Sequence, residues 1–170
     1  MRSAPLHRLP LLLLTALLLA GCGDSPLEPG RDWMMETIFD TDEVQVLAQD
    51  DGYLIRMTGA YYDEMNGQRL EPPFEALLDR FAEVFPRLEG ATYFVNVHSG
   101  SINTDPLIHR FSILHAEVIS IYLRSVPGGM DATLRYEGHG GYSPLVAEDT
   151  PEAEAVNRRI DIKITLAAVR

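Results

Sequence analysis

The chain is poor in cysteine and in lysine. Cys22 is its only cysteine and Lys163 its only lysine, so the other 13 of its 14 basic residues are arginines. A single cysteine excludes an internal disulfide and a cysteine-rich zinc site. With 25 acidic residues the net charge is −11, which argues against a nucleic-acid partner because phosphate contacts need clustered lysine and arginine. The length of 170 residues and a hydrophobic content of 46% are typical of one globular domain.

The N-terminus differs in composition from the rest of the chain. Residues 1–21 contain Arg2 and Arg8 but no acidic residue, and a leucine-rich run follows from Leu9 to Ala20. A basic start before an apolar run of about 7–15 residues is typical of a secretory signal peptide. The run is shorter than the roughly 20 residues that a membrane span needs. We therefore predict a signal peptide over residues 1–21.

The apolar run ends in Leu19-Ala20-Gly21-Cys22, which resembles the lipobox of bacterial lipoproteins. The resemblance implies cleavage before Cys22 and lipidation of that residue, with palmitate among the acyl chains. Each buried CH₂ contributes about 0.8 kcal/mol, so several chains would hold the protein on a membrane. In such lipoproteins an aspartate directly after the cysteine signals inner-membrane retention. Gly23 stands there, which favours the periplasmic face of the outer membrane. The alternatives are an ordinary signal peptide or a buried free thiol.

Residues 22–42 are rich in proline, glycine and acidic residues and show little apolar periodicity. This composition predicts a flexible, lipidated tether that precedes a folded domain over residues 43–170. The apolar residues Trp33, Met34 and Met35 offer an alternative, in which this part of the segment docks on the domain.

The domain shows alternating strand and helix patterns. The alternation around the turn at Asp50–Gly52 predicts a β-hairpin, and Pro72 and Pro106 each mark the first turn of a helix. The second helix has Asp105 as its N-cap and the predicted core stripe Leu107, Phe111, Leu114, Val118 and Ile121. A long loop with a short helical turn after Thr150 is predicted for residues 138–157, and a period-2 strand closes the chain at Ile160–Leu166. This order predicts an α+β two-layer sandwich with a mixed sheet and helices on one face.

Three segments near the C-terminus carry a family resemblance. Residues 138–144 (GHGGYSP), 149–150 (DT) and 157–162 (NRRIDI) resemble the C-terminal signature of OmpA-like domains at the same spacing. Residues 111–116 (FSILHA), 97–100 (VHSG) and 76–82 (ALLDRFA) resemble further parts of that family, so the likeness covers roughly residues 52–168. The resemblance implies a two-layer fold of OmpA-like type and non-covalent binding to peptidoglycan.

In well-understood OmpA-like domains an aspartate and an arginine hold the charged ends of diaminopimelate in the stem peptide. Opposite charges at each end suit a zwitterion, and arginine binds carboxylate bidentately. In this sequence the aspartate position falls on Gly100 and the arginine position on His115. Asp105 is either a substitute acid or only the helix cap.

Another family arginine, just before the Asn-Arg-Arg segment, falls on Glu154. The remaining matches and His115, which is predicted at the rim of the helical stripe, give the candidate peptidoglycan contacts. They are Arg158, His98, Ser99, His115 and Asn157. Arg158 either contacts ligand or ties the last strand to the long loop. Arg159 is expected to pair with Asp161 or Glu137.

Catalytic motifs are lacking. Ser99-Gly100-Ser101 has no preceding glycine for a nucleophile elbow, and no cysteine nucleophile or triad is present in the domain. We therefore predict no enzyme activity and no cofactor, and a metal site only if His98 and His115 approach each other.

Two functions remain open. One is an outer-membrane lipoprotein that tethers the membrane to the cell wall through peptidoglycan. The other is a degenerate OmpA-like domain that serves as a protein-interaction module in the envelope, without diaminopimelate binding.

Overall fold

The computed structural model describes residues 27–39, 44–58, 69–147 and 149–167. These residues form four α-helices and one five-stranded sheet. In chain order the elements are α1 (Glu28–Trp33) with a π-helical extension (Met34–Ile38), β1 (Val44–Gln49), β2 (Gly52–Thr58), α2 (Pro72–Phe81), a 3₁₀ turn (Phe85–Arg87), β3 (Thr92–His98), α3 (Pro106–Ser125), β4 (Thr133–Gly140), α4 (Pro151–Asn157) and β5 (Arg159–Thr165).

The sheet has the strand order β1-β2-β5-β3-β4. Strands β3 and β4 run parallel, while the other neighbours are antiparallel. One face of the sheet packs under α1, α2 and α3, and alternate residues of each strand point into that core. On β5 these are Ile160, Ile162 and Ile164, all fully buried. The predicted mixed α+β sandwich is therefore confirmed. We call the opposite side, towards which Arg159, Asp161 and Lys163 point, the outer face.

The helix starts follow from local side-chain chemistry. The Asp105 carboxylate accepts a hydrogen bond from the backbone N–H of Leu107 at 2.7 Å, and Pro106 occupies the first helical position. The hydroxyl of Thr150 accepts from Ala153 N at 3.2 Å and caps α4 in the same way. Each cap satisfies one of the unpaired donors of a first helical turn. Asp105 is thus the N-cap of α3.

The predicted core stripe of α3 is wrong at its two ends and is confirmed at Val118, which packs half-buried against the core. Leu107 and Ile121 are 51% and 61% exposed, whereas the buried side chains on this helix are Ser112, His115, Ala116, Ile119, Ser120 and Leu123. The reason is the close approach of α3 to β4. A side chain on Gly138 would collide with the backbone of Ser112 and Ile113. Ser112 therefore lies at the point of closest approach to the strand, whereas Leu107 and Ile121 point towards solvent.

Two boundaries also differ from the sequence prediction. Residues 27–39, predicted as flexible tether, are helical, and Met34, Ile38 and Phe39 lie in the core at 2% exposure or less. The docked alternative holds for this stretch, because its apolar side chains gain more from burial than from solvation. Strand β4 extends through Gly140 and α4 begins at Pro151, so the loop between them is shorter than predicted.

Within the described ranges, no helix combines the length and the apolarity needed to cross a bilayer.

Candidate functional site

Four of the five candidate contact residues lie where β3 ends and β5 begins, whereas His115 lies on α3. His98, the last residue of β3, is paired with Arg159, the first residue of β5. Four of the five candidates are nearly inaccessible: His98 and Ser99 are each 6% exposed, and His115 and Asn157 are each 1% exposed. Arg158 alone among the five is half-buried. Of the predicted contacts, Arg158 is therefore the one that a ligand can reach without rearrangement of the fold.

His98 and His115 lie on opposite sides of the sheet. The His98 ring stacks on the His139 ring at 4.5 Å between centroids, on the outer face. His115 belongs to α3, which packs on the core face, and it is not at the rim of its helix as predicted. The two histidines therefore do not form a pair. Among the described residues no group of three or more His, Cys, Asp or Glu could hold a metal ion.

Asn157 holds the loop after β4. Its side-chain oxygen accepts from Leu145 N at 2.8 Å and from Val146 N at 3.0 Å, and its amide donates to Val146 O at 2.8 Å. The side chain thus satisfies three backbone groups of one loop turn. This role explains its complete burial and differs from the ligand contact implied by the resemblance.

Arg159 ties the last strand to the same loop, the structural role considered for Arg158. Its guanidinium donates to Ser143 O at 3.0 Å, to Asn157 O at 3.2 Å and to the Asp161 carboxylate at 3.0 Å. The predicted pairing with Asp161 is therefore correct. Arg56 on β2 donates two hydrogen bonds to the same carboxylate, at 2.8 and 3.0 Å. Two arginines and one aspartate form a buried charge cluster.

The two histidines of the outer face complete this cluster. His139 Nε2 donates to Asn96 Oδ1 at 3.0 Å, a direction fixed because the Asn96 amide itself donates to two backbone carbonyls. His98 Nε2 lies 3.8 Å from the Asp161 carboxylate. The sequence signal for the cluster is the alternation of Arg159 and Asp161 with the core isoleucines Ile160 and Ile162 of β5.

Burial and nearby positive charge shift the pKa of Asp161 in opposite directions, whereas both lower the pKa of His98. Burial raises the pKa of the Asp161 carboxyl, but hydrogen bonds and charge from Arg56 and Arg159 outweigh it and hold that pKa below its usual value. Burial, with Arg159 and His139 nearby, lowers the pKa of His98 to about 3. The folded protein therefore keeps His98 neutral and Asp161 ionised at neutral pH.

We expect the free energy of unfolding to fall on acidification, starting well above the pKa of the carboxylates. His98 in the unfolded chain binds a proton below about pH 6.5, whereas in the folded protein it does so only near pH 3. The unfolded state thus gains protons first, and about 2 kcal/mol is lost between pH 7 and pH 5. Urea unfolding at both pH values measures the loss. In His98→Asn most of this slope should vanish; an unchanged slope would assign the effect to another group.

Gly100 and Arg158 are packed against each other at the position of the family aspartate. A Cβ on Gly100 would stand 3.3 Å from Arg158 Cβ and 3.4 Å from Arg158 Nε. It would also stand 2.8 Å from the carbonyl oxygen of Glu154, a contact that real Cβ atoms do not make. The lack of a side chain at Gly100 therefore leaves space that the arginine and the end of α4 occupy. Arg158 therefore packs against the position where the resemblance implies an aspartate, and that position carries no acid in this chain.

This strand order, with a parallel β3-β4 pair and helices on one face, defines the fold of OmpA-like domains. No family model and no curated protein match the sequence. Among solved structures, the cell wall anchor of the T6SS from Pseudomonas aeruginosa is similar with a TM-score of 0.66 and 20% identity, over 81% of this chain and 96% of that one.

Two further solved structures support the same fold. A putative MotB-like protein from Desulfovibrio vulgaris has a TM-score of 0.66 at 15% identity, covering 82% of this chain and 91% of its own. The OmpA-like domain of FopA1 from Francisella tularensis has a TM-score of 0.51 at 12% identity, covering 78% and 88%. At these identities the shared property is the fold.

Proposed function

We propose that this chain is an envelope lipoprotein whose OmpA-like domain associates non-covalently with peptidoglycan and so tethers the outer membrane to the cell wall. One observation carries the proposal: the half-buried Arg158 lies against Gly100, at the position where the family binds its ligand. A guanidinium there suits a carboxylate of the stem peptide. The similar T6SS protein is itself described as a cell wall anchor. A binding role of this kind involves no catalysis.

Arg158→Ala should reduce binding to peptidoglycan sacculi by about tenfold, the usual loss for a hydrogen-bonded charged contact. The measurement is co-sedimentation of the non-lipidated chain with purified sacculi at low salt. Arg31→Ala is the matched control, because Arg31 pairs with Asp32 on the surface of α1 and its loss changes the net charge equally. Equal losses in both variants, or no co-sedimentation of the folded protein, would reject the proposed wall contact.

The anchor is proposed on Cys22, which precedes the described residues. Cys22→Ser should move the protein from the membrane fraction to the soluble fraction of fractionated cells, because the acyl chains supply the membrane affinity. Separation of inner and outer membranes on a density gradient then tests the outer-membrane location implied by Gly23. Unchanged membrane retention of Cys22→Ser would refute the lipid anchor, and wild-type protein in the inner-membrane fraction would refute the location.

A protein-interaction module is the second candidate. It is favoured by the burial of His115 to 1% exposure and by the filled space beside Gly100, because neither residue supplies the charge that diaminopimelate recognition needs. Under this alternative the folded domain would not sediment with sacculi, and Arg158 would contact a protein partner.

A further inference from the structure

The outer face of the sheet carries an open cleft of about 500 Å³ that is separate from the Gly100–Arg158 position. Residues of three adjacent strands line it: Thr92, Phe94, Asn96, Arg135, Lys163 and Thr165. Phe94 is directly paired with Lys163 on β5 and with Arg135 on β4. One cross-strand row therefore reads Lys163–Phe94–Arg135, with an aromatic ring between two cations. Neighbouring strands lie about 4.8 Å apart, so the flanking backbones are separated by roughly 10 Å.

The charge of the outer face is opposite to that of the chain. Its strand residues include four basic side chains, Arg56, Arg135, Arg159 and Lys163, against two acidic ones, Glu137 and Asp161. The whole chain has a net charge of −11. The single lysine and an exposed arginine thus stand together at this cleft, which complements an anionic ligand and opposes binding of a cationic one.

Lys163 and Arg135 can bind a ligand at the loss of only weak interactions within the protein. Lys163 pairs with Asp51 at 3.2 Å, but both side chains are more than 40% exposed, and such surface pairs contribute about 1 kcal/mol or less. The Arg135 guanidinium lies 5.6 Å from the centre of the Phe94 ring, within cation–π range. Buried Asp161 already engages Arg56 and Arg159, so those two arginines do not serve this cleft.

We propose that this cleft binds the disaccharide-peptide unit of peptidoglycan, with a sugar ring at Phe94 and carboxylates of the attached stem peptide at the two cations. A pyranose whose C–H groups stack on the Phe94 ring replaces the Arg135 guanidinium there, which releases Arg135 for a carboxylate, and Thr92 and Thr165 offer hydroxyls to the polar edge of the sugar. Lys163 and Arg135 receive the carboxylates on either side. The inference rests on the proposed function and extends it, because it adds a glycan subsite to the stem-peptide contact at Arg158.

Protein NMR of the chain from Cys22 onward, carrying Cys22→Ser, tests the assignment by location. The probes are a disaccharide-tripeptide released from sacculi by muramidase, the free tripeptide, and an uncharged N-acetylglucosamine oligomer. The disaccharide-tripeptide should shift the amide signals of Thr92, Phe94 and Lys163, and the free tripeptide should bind there about tenfold more weakly, because it lacks the sugar ring that contacts Phe94. The double variant Lys163→Gln/Arg135→Gln and the variant Phe94→Ala should each weaken its binding about tenfold. Arg31→Gln/Arg110→Gln, which removes two exposed arginines elsewhere, is the control.

Four other results would contradict the glycan subsite or one of its parts. Shifts confined to residues around Gly100 and Arg158 would leave wall binding intact and remove the glycan subsite. Equal affinity for the uncharged oligomer would remove the role of the cations. A glutamate-rich peptide that binds the cleft more tightly than the disaccharide-tripeptide would replace the sugar with an acidic protein segment. No binding of sacculi or fragments would overturn both the subsite and the proposed function.

Discussion

Asp161→Ala should lower the free energy of unfolding by about 3–5 kcal/mol, because it removes the carboxylate on which two arginines converge. Arg159, 4% exposed, would keep its charge in a buried position after losing the carboxylate that it contacts at 3.0 Å. Arg56 would lose both of its hydrogen bonds to that side chain. Urea unfolding at pH 7 measures the change.

A matched pair of variants separates charge from packing in this experiment. Asn96 is paired with Asp161 on one side and Glu137 on the other, so the two acids occupy the same cross-strand row. Glu137 is exposed, and Glu137→Ala should change stability by less than about 0.5 kcal/mol. Asp161→Asn retains the shape of the side chain without its charge, and it should still lower the free energy of unfolding by most of the amount expected for Asp161→Ala. A loss below 1 kcal/mol in Asp161→Ala would show that the cluster contributes little.

Local chemistry made much of the fold predictable. Alternation at Ile160, Ile162 and Ile164 and the Asp105-Pro106 helix start depend on residues close in sequence, and both appear in the structure as expected. The OmpA-like fold followed from the Asn-Arg-Arg segment and its spacing to the glycine-rich turn. These signals work because strand period and helix capping are properties of single elements.

Features that depend on distant residues were not predictable in the same way. Which face of α3 is buried depends on Gly138. Its lack of a side chain allows the helix to approach β4 closely, and the hydrophobic pattern of the helix does not reveal this approach. The Arg56–Asp161 contact joins residues 105 positions apart. Similarly, the role of Asn157 was not predictable because its burial depends on the loop after β4, which contacts Asn157 and Arg159 at the start of β5.

His115→Arg, which introduces the family's arginine, should destabilise the domain by at least about 3 kcal/mol instead of restoring diaminopimelate binding. The sequence alone suggests the opposite, namely that Gly100→Asp with His115→Arg strengthens binding. His115 is 1% exposed, so an arginine there must bury a permanent charge and must also fit additional volume. Gly100→Asp should lower the free energy of unfolding by about 1–3 kcal/mol, because its Cβ would stand 2.8 Å from the Glu154 carbonyl oxygen.

Ile113→Arg provides the control on the same helix, since Ile113 is 38% exposed and an arginine there can reach water. Its stability should stay within about 1 kcal/mol of the wild type. Urea unfolding gives the stability of each variant, and isothermal titration with a diaminopimelate-containing tripeptide gives its affinity. A stable His115→Arg protein that binds the tripeptide more tightly would show that the cleft opens readily and that the family's mode of recognition is one substitution away. Destabilisation without gain in affinity would show that packing around Gly100 and His115 excludes the family's mode of diaminopimelate recognition from this domain.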